Sequence, residues 1–140
     1  MDKAVSYQKS IGASTENLSE VRKFVTNYAQ KHGFSKDQIA DIRLAVDEAA
    51  TNIIKHAYKS DKSQTLTIKL EFNEEKLCVT LTDQGISFDV KKYKSPDIKQ
   101  QIAKKKRGGM GIHLMKNLMD EVSYKVKNQE NVLRMSKNRN

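Results

Sequence analysis

Residues 35–57, SKDQIADIRLAVDEAATNIIKHA, decide the fold and point to the chemistry. Ile39, Ile42, Val46, Ala49 and Ile53 recur at spacings of three and four, which predicts a long helix with one buried face. Ser35 and Gln38 form a capping box in which each side chain satisfies the other residue's backbone N–H, and this fixes the helix start. Glu48 and Asn52 lie four residues apart, so they share a face. The string around them, EAATNIIKHA, is otherwise small and mostly apolar. Two readings stay open for this polar pair. Both side chains face solvent, or they serve chemistry. A carboxylate with an amide oxygen suits a hard cation such as Mg²⁺, which keeps several waters and takes few protein ligands. A carboxylate can also act as general base toward a hydroxyl.

Upstream of that helix, residues 4–11 read as a strand. Asn17 with Glu20 predicts a second capping box, ahead of Leu18, Val21, Val25 and Tyr28 at helical spacing. Gly33 ends this helix in the manner of a C-terminal glycine. Downstream, TLTIKLEF (65–72) and KLCVTLT (76–82) alternate strictly and predict an antiparallel hairpin across Asn73-Glu74-Glu75. Residues 84–107 read as a long loop with one short helix near 98–103, and long loops inside compact domains are often lids. Gly108-Gly109-Met110-Gly111 opens a helix to about Met119. Strands follow at 121–127 and 132–136, with a turn at 128–131. Strand, two helices, two strands, lid, helix, two strands is not the alternation of a dinucleotide fold. It implies an α+β, two-layer sandwich with helices on one face of a mixed, mainly antiparallel sheet.

The 140 residues suit a single domain spanning 1–140, large enough to bury a core without a staple. One cysteine, Cys78, excludes an internal disulfide and is expected to be a small buried side chain. No apolar run is long enough to cross a membrane as a helix, and no leader is expected, so a cytoplasmic location is expected. The net charge of +9 and pI near 9.6 favour anionic partners without choosing among nucleic acid, nucleotide and acidic protein. A nucleic-acid role finds little support, because aromatic residues are only 6% and no standard motif is present.

Two further signals carry chemistry. Asp83-Gln84-Gly85 follows a strand and reads either as a turn or as a carboxylate that accepts from an exocyclic amine, with Gly85 letting a flat ring approach the backbone. The glycines at 108, 109 and 111 ahead of a helix form a flexible turn or a phosphate cradle, since freed N–H groups and a helix N-terminus favour anions. The motif lacks the Lys-Ser/Thr ending of a P-loop. The basic run Lys104–Arg107 immediately before it is a solvated loop or a source of cations for those phosphates.

In order and spacing, EAATN on a helix, DQGISFD after a strand and GGMGIHLM opening a helix resemble the three boxes of the ATPase superfamily shared by gyrase, histidine kinases and mismatch-repair proteins. The strings DIRLAVDEAATNIIKHAY and GGMGIHLMKNLMDEVSY are similar to the anti-sigma-factor serine-protein kinases within it. The likeness runs from about residue 15 to residue 137. It implies the histidine-kinase-like ATPase (Bergerat) fold, ATP and Mg²⁺ as cofactors, and transfer of the γ-phosphoryl group to a serine of an anti-anti-sigma antagonist. Glu48 is then the catalytic base, Asn52 the Mg²⁺ ligand and Asp83 the group that reads the adenine amine, with Gly85 beside the base. Gly109 and Gly111 contact phosphates, and Lys104 and Arg107 belong to an ATP lid spanning about 84–110. A sigma factor or other target, the antagonist and a second copy in a homodimer are the implied protein partners, with neither nucleic acid nor membrane among them.

The chain departs from the family pattern in places. Ser87 stands where the wider superfamily often has a glycine. Glu130-Asn131 stands where the family often shows Gly-Thr, which puts one phosphate- or base-side contact in doubt. No phosphoacceptor-histidine domain is expected ahead of the first box, and His32, His56 and His113 are read as surface or packing residues. The alternative reading is a non-catalytic ATP-binding or degenerate protein-binding regulator of the same fold.

Overall fold

A computed structural model describes residues 4–57, 64–84 and 114–139. Five strands form one sheet in the order β1-β2-β3-β5-β4, and all four pairings are antiparallel. They are β1 (Val5–Gly12), β2 (Thr65–Phe72), β3 (Lys76–Asp83), β4 (Glu121–Lys127) and β5 (Glu130–Asn138). Two helices, α1 (Leu18–Lys31) and α2 (Lys36–Asn52), cover one face. This is the expected two-layer α+β arrangement.

The core follows from the two periods in the sequence. In β2, Leu66, Ile68, Leu70 and Phe72 are all buried, and in β3 so are Leu77, Val79 and Leu81. The register stacks them as rungs: Phe72 opposite Leu77, Leu70 opposite Val79, Ile68 opposite Leu81. On the other side of β3, Val79 faces Met135 and Leu81 faces Leu133. Onto this ladder α1 lays Leu18, Val21, Val25 and Ala29, and α2 lays Ile39, Ile42, Ala45, Val46, Ala49 and Ala50. Small residues in the second half of α2 let that helix sit close to the sheet. Met115 and Met119, from the helical stretch 114–118 and just after it, complete the core.

The capping box of α2 is present in both directions, with Gln38 N–H donating to Ser35 Oγ and Ser35 N–H to Gln38 Oε1. The cap predicted at Asn17 differs. A 3₁₀ turn, Thr15–Asn17, precedes α1, and Ser14 caps that turn by accepting from Glu16 N–H. Asn17 makes no side-chain cap; its amide donates back to the Gly12 carbonyl at 2.9 Å, tying the helix entrance to the end of β1. The last turn of the long helix also differs from expectation. Regular α-helix stops at Asn52, and Ile53–Ala57 continues as a π-helix.

The last hairpin is longer than predicted. The turn is only Asn128-Gln129, both at positive φ (52° and 66°), and β5 already begins at Glu130. Two consecutive left-handed residues give the tight turn whose twist matches a hairpin. Residues 130 and 131, read from the sequence as turn, are therefore strand. Cys78, expected to be buried, is instead partly exposed. It lies on the β3 face away from the buried Leu77 and Val79, and Arg134 Nη2 donates to its Sγ at 3.2 Å.

Candidate nucleotide site

Along β3 the core-facing positions run Leu77, Val79, Leu81 and then Asp83. Alternation that serves three apolar residues thus carries a carboxylate to the inner side of the sheet, where it is 4% exposed. Its partner across the ladder is Asn131, 2% exposed, whose Nδ2 donates to Asp83 Oδ1 at 2.8 Å. Burying a carboxylate is costly without such hydrogen bonds, so a buried Asp at the end of an apolar ladder marks a place where polar chemistry outweighs packing.

The position of α2 relative to this rung follows from its anchors. Gln38 Nε2 donates to the carbonyls of Asn138 and Arg139, and Lys137 Nζ reaches Asp41 Oδ2 at 3.3 Å. The start of α2 therefore overlies the end of the sheet where Lys76 faces Asn138. From Gln38 to Asn52 a helix advances about 21 Å at 1.5 Å per residue. From Lys76 to Asp83 a strand advances about 23 Å at roughly 3.3 Å per residue. The last turns of α2, with Glu48 and Asn52, thus reach the same end of the sandwich as Asp83 and Asn131.

Glu48 and Asn52 are both partly exposed, one turn apart, and flanked by fully buried Ala49 and Ala50. They sit at the border between the packed seam of α2 and its open side. The π-helix begins at the residue after Asn52, and such widened turns are frequent at functional sites. An amide oxygen and a carboxylate at a solvent border fit a Mg²⁺ ion that draws its remaining ligands from phosphate and water. No group of three His, Cys, Asp or Glu side chains among the described residues forms a metal site by itself.

Other anchors hold this frame together. Lys137 Nζ also donates to the Leu118 carbonyl at 2.5 Å, fixing the end of the helical stretch 114–118 against β5 and α2. At this same end of the sandwich, away from Asp83, Arg139 binds the His32 carbonyl through Nη1, the Asn73 carbonyl through Nε and the Glu75 carbonyl through its backbone N–H. One side chain and its amide thus tie the α1–α2 connection to the β2–β3 turn. His32 packs as expected, stacked on Phe72 with ring centroids 4.1 Å apart.

Helix and strand lengths from the shared anchored end put Glu48, Asn52 and Asp83 toward one end of the sheet. Gly85, Lys104, Arg107, Gly109 and Gly111 lie outside the described residues, as do Ser87, the helix expected near 98–103 and His113. Sequence reasoning missed Asn131 as a site residue because it assigned 128–131 to a turn. The signal was available: Asn128 tolerates the left-handed region, so a two-residue turn at 128–129 places Asn131 in the strand.

A family model for the histidine kinase-like ATPase domain matches residues 11–137. This chain belongs to the histidine kinase-like ATPase domain family. Serine-protein kinase RsbW of Bacillus licheniformis is 35% identical over 133 residues, covering 90% of this chain and 82% of the relative. Two solved structures share the fold. The RsbU and RsbW domains of a Mycobacterium tuberculosis protein superpose with a TM-score of 0.69 at 14% identity, over 95% of this chain and 32% of that one. The SiaB-SiaC complex of Pseudomonas aeruginosa gives 0.68 at 16% identity, over 94% of this chain and 88% of the matched one. No helix among the described residues of the ATPase domain is long and apolar enough to cross a membrane.

Proposed function

We propose that this chain is an ATP-dependent serine-protein kinase and anti-sigma regulatory factor of a partner-switching module. It transfers the γ-phosphoryl group of ATP to a serine of an anti-anti-sigma antagonist. The observation that carries this reading is the buried Asp83 carboxylate on the core-facing end of β3. Membership of the ATPase family and the 35% identity to a serine-protein kinase support it.

In this reading Asp83 accepts a hydrogen bond from the exocyclic amine of adenine. Asn52 supplies an amide oxygen to Mg²⁺, which neutralises phosphate charge when bound. Glu48 orients the serine hydroxyl and accepts its proton. Phosphoryl transfer depends mainly on positioning and charge neutralisation, so this short set of residues suffices. Gly109 and Gly111 contribute backbone N–H groups to the phosphates, and Gly85 sits beside the base. Lys104 and Arg107 bring cations with the lid of residues 84–110. The protein partners are the antagonist and a sigma factor or other target, and the working unit is a homodimer in the cytoplasm.

The test is phosphorylation of an anti-anti-sigma-type protein by wild type and Glu48→Gln, with ATP affinity measured in parallel. Loss of a general base lowers the rate by about 10²–10⁴-fold. Glu48→Gln should fall in that range and hold ATP within about twofold of wild type, because the base touches the attacking hydroxyl. No transfer by wild type that nonetheless binds ATP would replace the kinase by a non-catalytic ATP-binding regulator, and equal transfer by both proteins would remove Glu48 as the base.

A further inference from the structure

We propose that Cys78, on the face of β3 turned away from the core, is a modification site that forms a mixed disulfide with a small thiol bearing carboxylate groups, held there by Arg134 and Ser136. The proposal is independent of the nucleotide reading, because Cys78 and Asp83 lie on opposite faces of the sheet.

Register assembles the site. Cys78 lies opposite Ser136 of β5, and Ser136 lies opposite Glu121 of β4. Alternation puts Cys78, Arg134 and Ser136 on the face away from Leu77, Leu133 and Met135. With Lys76, Glu121 and Lys125 they line a cavity of about 240 Å³. That is below the roughly 300–1,000 Å³ of a drug-sized ligand site, so it suits a small group tethered by a covalent bond. Two observations point to a ligand here. Arg134 is exposed, yet its Nη2 donates to Cys78 Sγ at 3.2 Å rather than to a carboxylate. Ser136 is 5% exposed, and its Oγ has no hydrogen-bond partner among the described residues. A buried hydroxyl without a partner costs free energy, and native structures hold few of them. Opposite a thiol and on the wall of the same cavity, this one is an unused donor for whatever Cys78 carries.

Charge sets which thiol fits. Glu121 is paired with Lys76 at 3.8 Å, and Glu71, opposite Cys78 on β2, is paired with Lys69 at 3.9 Å. Arg134 and Lys125 form no ion pair among the described residues, so two cations at the cavity stay uncompensated. A guanidinium receives a carboxylate through two parallel N–H bonds. The reaction is thiol–disulfide exchange with an oxidised small thiol. The Cys78 proton goes to solvent and its sulfur attacks one sulfur of the small disulfide. The new S–S bond forms as the old one breaks, and the thiolate that leaves takes up a proton. Cys78 is oxidised, and one half of the small disulfide is reduced. Cations beside a sulfur favour the thiolate form that attacks. The contact is felt by its donor too: the hydrogen bond to Cys78, and then the charge of that sulfur, raise the Arg134 pKa above its ordinary value. In the adduct, Arg134 passes from the sulfur to a carboxylate of the bound thiol, and Ser136 Oγ donates to the same group.

The experiment treats the full chain with glutathione disulfide, which is anionic, or with cystamine, a cationic disulfide, and follows the adduct by intact mass. Each rate is divided by that of the same protein unfolded in urea, which removes the intrinsic reactivity of the disulfide. The variants are Arg134→Gln, Ser136→Ala and Lys23→Gln, the last an exposed lysine of α1 that makes the same charge change on the helical face. Wild type should take up one glutathione and should react faster with glutathione disulfide than with cystamine. Arg134→Gln should slow the glutathione reaction about tenfold, the scale of a lost hydrogen bond to a charged group, and change the cystamine reaction by less than about twofold. Lys23→Gln should match wild type. Ser136→Ala should lower the equilibrium yield of adduct against reduced glutathione by roughly threefold or more, the scale of one neutral hydrogen bond. No adduct on wild type, or Arg134→Gln behaving as Lys23→Gln does, overturns the proposal. Equal slowing of both disulfides by Arg134→Gln also overturns it, since recognition of a carboxylate would then play no part. An unchanged yield in Ser136→Ala removes Ser136 from the site.

Discussion

Asp83 and Asn131 are the residues at which local rules are broken together. Each occupies a core-facing strand position, each is at least 96% buried, and the bond between them helps to satisfy both side chains there. Asp83 was visible in the sequence as a carboxylate directly after a strand with a glycine two positions on. Asn131 was not, because its neighbours Asn128, Gln129 and Glu130 all read as turn residues, and only the positive φ values of the first two show where the turn ends.

His32 is the other residue with a distinct chemical environment. Its Nε2 and the Tyr7 hydroxyl are 2.9 Å apart, and its ring stacks on Phe72. Burial, then the charges of Arg139 and Lys31, hold its pKa below the ordinary 6.5. A lowered pKa means that the unfolded chain takes up a proton before the folded one does. Stability from His32 is therefore complete above about pH 6.5 and declines as pH falls through that value toward the lower folded pKa. Urea unfolding of wild type and His32→Gln across pH 8 to 5.5 (roughly the span over which a histidine titrates) should show the wild-type midpoint falling more steeply below 6.5. Parallel pH profiles would contradict this account of the His32 environment.

At the scale of elements, strict patterns were the most legible. The hairpin of β2 and β3 and the capping box of α2 appear where the sequence places them, because alternation and reciprocal capping are local and self-contained. The cap of α1 was misread for a physical reason. Asn17 finds a better partner in the Gly12 carbonyl, and Ser14, three residues earlier, caps the added 3₁₀ turn. Tertiary contacts also decide the C-terminal clamp of Arg139, whose three carbonyl partners lie in two distant connections that no local signal links.

Gly33 tests the element boundaries directly. Its φ is +85°, and a Cβ there would meet only the Arg139 Nη1 atom at 4.0 Å. Space is available, so the cost of Gly33→Ala is conformational: roughly 1–2 kcal/mol for an L-residue in the left-handed region. Denaturant unfolding should register that loss with an unchanged slope. A variant as stable as wild type would mean that the α1–α2 connection relaxes to another path.

For the whole molecule, the sequence pattern conveys architecture and site by different routes. Architecture follows from period: two helical stripes and two alternating strands must bury one common face, which gives the two-layer sandwich. The site follows from exceptions to period, the carboxylates and amides of Glu48, Asn52 and Asp83, and what unites them is that α2 and β3 advance by nearly equal lengths from a shared anchored end. Neither helix nor strand alone reveals that convergence. It needs the tie of Gln38 and Asp41 to the end of β5.

The net charge of +9 offers a competing source of affinity for any polyanion, and the central claim must be separated from it. The most direct measurement is equilibrium binding of ATP with Mg²⁺ to wild type and Asp83→Asn at two salt concentrations. A nucleotide site built around Asp83 predicts saturable binding with mild salt dependence, weakened by more than about tenfold in Asp83→Asn, the scale of a lost hydrogen bond to a charged group. Binding that is indifferent to Asp83 and falls steeply with salt, as charge-driven association does, would contradict it.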